Sequence, residues 1–214
     1  AQDLAPINQA AIRLAREAAG DQVFVAGAVG PCLRPGQIMV GDQEKAVRAA
    51  FEEQIQTQAE AGADLIILET FSNLEELLLA AEVARQSGVP VQASFVVGEL
   101  GETAMGVRIE DAVARLDQNP NIDIIGINCG IGPAPAYEAL ERALPLTRKP
   151  FVVMPNAGAP RQVEGRMIYL TNPEYFTEYA KKFIELGVRG VGGCCGTTPD
   201  HIRVAARAIK GLSG

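Results

Sequence analysis

The chain has 214 residues, 48% of them hydrophobic and 21% charged, with a net charge of -7 at pH 7. That length suits one domain with a real core. The acidic balance argues against a nucleic-acid partner, which needs a basic stripe, and no apolar run approaches the ~20 residues of a membrane span. No signal peptide opens the chain, so a cytoplasmic location is expected.

The first element is a helix: in "LAPINQAAIRLAREAAG" the apolar residues Ile7, Ala11, Leu14 and Ala18 recur at helical spacing. Pro6 suits its first turn and Gly20 its stop. The apolar run "VFVAGAVG" then predicts a strand, and "QEKAVRAAFEEQIQTQAEAGA" a helix ending at Gly62. Alternation continues with strands at "DLIILET", "PVQASFVV", "IDIIGIN", "PFVVMP" and "VRGVGG". Between and after them come helices at "NLEELLLAAEVARQSG", "IEDAVARLDQ", "PAYEALERALPL", "PEYFTEYAKKFIELG" and "TPDHIRVAARAIKGL". The strands are short continuous apolar runs, as in parallel strands covered on both faces.

One helix followed by six strand–helix units predicts an α/β fold with right-handed crossovers. The unit length matches a (β/α)8 TIM-type barrel, for which eight units need roughly 250 residues. An open doubly wound sheet is the other architecture available, but no G-x-G-x-x-G follows the first strand and no P-loop occurs. The reading is therefore a partial barrel, two strands short, forming a single domain over residues 1–214 that is incomplete at its N-terminus.

In a barrel, function gathers where strands end. The first strand is followed by Cys32, the second ends at Glu69, the fourth at Asn128 and Cys129, the fifth at Asn156, and the last at Cys194 and Cys195. With no sign of secretion, the four cysteines suggest packing, redox chemistry or metal binding rather than disulfides. No C-x-x-C occurs, and the single histidine, His201, leaves little for a triad or a multi-histidine metal site. Cys129, Cys194 and Cys195 fall on one rim and suit a three-cysteine zinc site with an open fourth position. Gly192, Gly193 and Gly196 allow adjacent thiols to aim inward, and the helix that follows, capped by Thr197 or Thr198 with Pro199 at its first position, would favour thiolates. A phosphate site on the same glycine-rich loop is the competing reading. Cys32 reads as a buried small hydrophobe. Glu69 either caps a helix or binds a cationic group, and Asn128 and Asn156 either hold loops or face a ligand. His201 reads as solvated or supporting, and Arg34, Arg161 and Arg166 as surface residues in loops.

The segments "LETFSN", "GINCGIGP", "PNAGAP" and "LGVRGVGGCCGTTPDHI" together resemble the homocysteine S-methyltransferase family, over nearly the whole chain. Within that family the chain most resembles the homocysteine-binding module of cobalamin-dependent methionine synthase, and the fusion of such a module with methylenetetrahydrofolate reductase is also similar. Betaine- and S-methylmethionine-dependent members look more distant. The resemblance implies a (β/α)8 barrel, zinc on Cys129, Cys194 and Cys195, contact of Glu69 with the homocysteine amino group, and Asn128 close to substrate. Asn156 matches a motif position. It further implies methyl transfer to homocysteine, giving methionine, with methylcobalamin on another domain or a small molecule as donor, and a folate, cobalamin or reductase domain as possible neighbour. Members open with a "DGAMGT"-like strand and loop that helps hold the substrate carboxylate, and this sequence contains none.

Overall fold

The computed structural model describes residues 3–210, so Gly211 and Leu212 of the last expected helix lie outside the described residues. Helix α1 (Leu4–Ala19) leads, followed by β1 (Ala26–Val29), α2 (Gln43–Glu60), β2 (Leu65–Phe71), α3 (Leu74–Arg85), β3 (Val91–Phe95), α4 (Ile109–Asp117), β4 (Ile124–Asn128) and α5 (Pro133–Ala143). Then come β5 (Phe151–Met154), β6 (Pro160–Val163), β7 (Arg166–Tyr169), α6 (Pro173–Leu186), β8 (Gly190–Val191) and α7 (Pro199–Lys210). Helices α3 and α6 begin where a side chain satisfies their free N–H groups. Asn73 accepts from Glu75 and Glu76, and Asn172 accepts from Tyr175 ahead of Pro173. Helix α6 stops at Gly187, whose φ of 111° costs a side-chain-bearing residue dearly.

The main sheet runs β1-β2-β3-β4-β5-β8, all parallel, with neighbours in the order of the chain. That order decides between the two architectures open from sequence. Right-handed crossovers between sequential strands put every helix on one face, which curls the sheet as a barrel; a doubly wound sheet needs a reversal of strand order. The result is a curled half-barrel of six strand–helix units, a partial TIM-type barrel.

The core lies between sheet and helices. Ile66 and Leu68 of β2 and Phe95 of β3 are fully buried there, with Phe51 and Ile55 of α2 and Leu77 of α3. Phe51 and Phe71 meet with ring centroids 6.0 Å apart. The concave face carries the alternate residues: Ile67 is paired with Gln92, Ser94 with Gly126, and Gly126 with Val152. At Gly126 a Cβ would lie 2.5 Å from Ser94 Oγ and 2.9 Å from the Val152 carbonyl oxygen, so only glycine fits this narrow interior.

Two expectations are corrected. Arg161 and Arg166 do not lie in loops but in β6 and β7, an antiparallel hairpin inserted between β5 and α6. Its two-residue turn, Glu164-Gly165, has φ of 48° and 77°, the left-handed pair that matches the natural twist of a tight hairpin. The strands are four residues each and exposed, β6 has no apolar run, and the brief one in β7 does not stand out as a strand. Cys32 is exposed rather than buried; its N–H and that of Leu33 donate to the buried Glu76 carboxylate, which pins the loop after β1 to α3.

Among the described residues no helix is long and apolar enough to cross a membrane.

Candidate metal centre

Strand β4 ends at Asn128 and turns sharply, because Cys129 adopts φ 60°. Strand β8 ends two residues before Gly193, and the chain then makes the turn that carries Cys194 and Cys195. Backbone bonds lock these turns to β5 and its exit. Cys129 N–H donates to Met154 O at 3.1 Å, Cys194 N–H to Pro155 O at 2.9 Å, and Ala157 N–H to Cys195 O at 2.9 Å.

The outcome is that Sγ of Cys129, Cys194 and Cys195 all lie within 4.8 Å of one another, with Cys129 and Cys195 at 3.8 Å. Three soft donors at this spacing fit a thiophilic ion such as zinc with a fourth position open. The electrostatics agree. Burial, followed by the charges of Cys129 and Cys195, pushes the Cys194 thiol up to about 12. Three thiolates cannot coexist here without compensation, which a bound divalent cation would supply.

The other predicted residues surround this cluster in different ways. Asn128 is buried; it accepts from Thr70 N–H and donates to Thr70 Oγ1, both at 2.8 Å, and its Nδ2 lies 4.0 Å from Cys194 Sγ. Asn156, also buried, accepts the Cys195 N–H at 3.1 Å and so orients the cysteine turn. Glu69 is half-buried at the C-terminal end of β2 and has no hydrogen-bonding or ionic partner among the described residues; desolvation raises its pKa. His201 is buried rather than solvated. Its Nδ1 accepts from Thr198 N–H at 3.2 Å, which leaves Nε2–H to donate to Thr171 O at 2.8 Å. It thereby ties the start of α7 to the exit of the hairpin. A cavity of about 600 Å³ opens beside the cluster, lined by Thr70, Ser72, Val96, Leu100, Thr103 and Cys129 among others.

Two residues at this site escape a sequence reading. Thr70 has φ 66°, unusual for a β-branched residue, and sits where the β2–β3 register shifts. Tyr169, at the end of β7, packs on Gly196 beside Cys195; hydrogen-bonding interaction with Cys195, then desolvation, then the charges of all three cysteines raise its pKa. The one signal for Tyr169 was the Glu-Gly turn between two short polar–apolar stretches.

The fold and site define a partial TIM-type barrel whose C-terminal rim brings three cysteine sulfurs together at a spacing that could hold a thiophilic metal. The sequence profile of the homocysteine S-methyltransferase family matches residues 1–209, and the chain belongs to that family. It is 36% identical over 194 residues to a methionine synthase of Mycobacterium leprae, covering 87% of this chain and 16% of that protein. It is 31% identical over 231 residues to a betaine–homocysteine S-methyltransferase 1 of Danio rerio, covering 97% of this chain and 55% of that one. The chain thus spans between a sixth and about half of these relatives. The metallated form of the Escherichia coli homocysteine methyltransferase MmuM superposes with a TM-score of 0.75 at 26% identity, covering 95% of this chain and 70% of that chain.

Proposed function

We propose that this chain is the homocysteine-binding module of a zinc-dependent enzyme that transfers a methyl group to the thiol of homocysteine, giving methionine. The observation that carries the reading is the convergence of three cysteine sulfurs within 4.8 Å on one rim of a barrel of this family. Cys129, Cys194 and Cys195 would hold the ion. Bound zinc supplies positive charge that keeps a substrate sulfur deprotonated near neutral pH. Glu69 offers a carboxylate on the same rim without a partner of its own, and pairing with the substrate ammonium would offset its desolvation. Asn128 holds Thr70 and the end of β2 at the mouth of the 600 Å³ cavity, beside which the sulfur would sit. Asn156 keeps the Cys195 turn in place. No general base is needed to take the thiol proton, which accords with a single histidine occupied in structural bonds.

The methyl donor comes from outside these residues. Identity to the methionine synthase exceeds that to the betaine enzyme, which favours methylcobalamin carried on a separate domain. Free thiols at the centre of the site suit the reducing cytoplasm.

Metal analysis and methyl-transfer assays on the reduced chain, with homocysteine set against other thiols and methylcobalamin set against S-methylmethionine, test this. One zinc per chain and homocysteine-dependent product, both lost in Cys195→Ser, are expected. A metal-free chain with intact thiols that still methylates homocysteine would overturn it.

A further inference from the structure

We propose that Tyr169 is a positioning residue for the metal centre: its phenol donates a hydrogen bond to the Cys195 sulfur, and the β6–β7 hairpin exists at this point to deliver it. The proposal rests on the zinc-holding part of the reading above and adds a residue to it.

Three geometric facts carry the inference. First, the Tyr169 side chain lies directly on the cysteine turn. A Cβ on Gly196 would fall 2.3 Å from Tyr169 Cγ and 2.4 Å from its Cβ, so the ring occupies the space a side chain would need. Gly196 also has φ 78°, and the turn is therefore shaped to receive this ring. Second, because the ring packs on Gly196, its phenol lies beside the adjoining Cys195, near enough to interact with that sulfur. Cys195 is the exposed member of the cluster, with one face of its sulfur open unless something covers it. Third, the hairpin is anchored at its base to the same turn. Thr171 N–H donates to Ala157 O, Ala157 N–H to Cys195 O, and His201 Nε2 to Thr171 O. The exit of the hairpin is thus tied to the cysteine turn by two backbone bonds and braced by a histidine side chain, so that Tyr169 is not carried on the tip of a free loop.

A sulfur that already accepts a hydrogen bond gives less electron density to a metal. Its side chain is also confined to the orientation that shares an ion with Cys129 and Cys194. Partners of this kind typically matter about tenfold to hundredfold in metal affinity.

The test compares Tyr169→Phe, which keeps the ring and removes the hydroxyl, with Tyr169→Leu, which removes both. Zinc affinity is read by chelator competition, and sulfur donation by the sulfur-to-cobalt charge-transfer band of the Co(II)-loaded protein. Circular dichroism reports folding. For Tyr169→Phe the expected result is a native fold, about tenfold weaker zinc binding, and a charge-transfer band moved to lower energy because the sulfur donates more freely. Unchanged affinity and an unmoved band in Tyr169→Phe, with loss only in Tyr169→Leu, would reduce the residue to packing and overturn the proposal. Should Tyr169→Phe not fold, the tyrosine difference absorbance of the unmodified chain on zinc addition decides: a change upholds the contact and none overturns it. If the unmodified chain takes up no zinc at all, it is the zinc reading that fails, a separate outcome.

Discussion

Asn128 and Thr70 exchange two hydrogen bonds of 2.8 Å, one in each direction, across the ends of β4 and β2. The pair explains how a threonine is held at φ 66°, a conformation that costs a β-branched residue on the order of 1–3 kcal/mol. It also places a buried carboxamide 4.0 Å from Cys194 Sγ, which couples the strand carrying Glu69 to the cysteine cluster.

Replacing Asn128 with alanine strands the Thr70 N–H and removes that brace. The cost is expected to be about 2 kcal/mol, a fall in melting temperature of roughly 6 °C for a chain of this size. Thermal denaturation checks it. A stability equal to that of the unmodified chain would show that the pair is incidental.

The cysteines are not equivalent. Cys129→Ser breaks the three-sulfur set and is expected to lower zinc content well below one per chain. Cys32→Ser, at an exposed site outside the cluster whose own N–H anchors the β1–α2 loop to Glu76, is expected to leave zinc content unchanged. Metal analysis of the two purified variants distinguishes them.

Zinc affinity is expected to fall as pH falls. Without metal the Cys194 thiol is pushed up to about 12, first by burial and then by its neighbours' charge, so it is protonated at neutral pH. At least one proton must leave on metal uptake, and the apparent affinity should drop at least tenfold for each pH unit of acidification. Chelator competition between about pH 6 and pH 8 measures the slope; a flat profile would contradict the proton release.

Glu69→Gln separates stability from function. The folded-state pKa of Glu69 is raised by desolvation, so its ionised form opposes folding. This group's contribution is most favourable below its unfolded pKa and is lost as pH rises through the raised folded value. The glutamine variant should therefore melt slightly higher at neutral pH, by about 2 °C, and lose that gain in acid. Its KM for homocysteine should rise roughly a hundredfold, because the substrate ammonium loses a desolvated carboxylate partner. A lower melting temperature at neutral pH together with an unchanged KM would exclude this role.

The chain's repeating helices and strands were readable residue by residue, because a period of 3.6 or a short apolar run is a local property. So was the placing of cysteines after β4 and β8, since strand ends can be counted. The polarity of a lone strand end was less informative: nothing local told Asn156, which orients the Cys195 turn, from a residue facing a ligand. The hairpin was hidden because β6 and β7 pair only with each other, lie exposed and need no apolar face. Sequence by itself thus determined the alternating helices and parallel strands and which residue types reach the rim. The tertiary structure alone decided that the strands follow one another in order and curl, that Thr70 is bent to meet Asn128, that Cys32 faces outward, and that Tyr169 rests on Gly196 beside Cys195. These are matters of distance between residues 24 to 58 positions apart, and packing and hydrogen bonding settle such distances only once the whole sheet has formed.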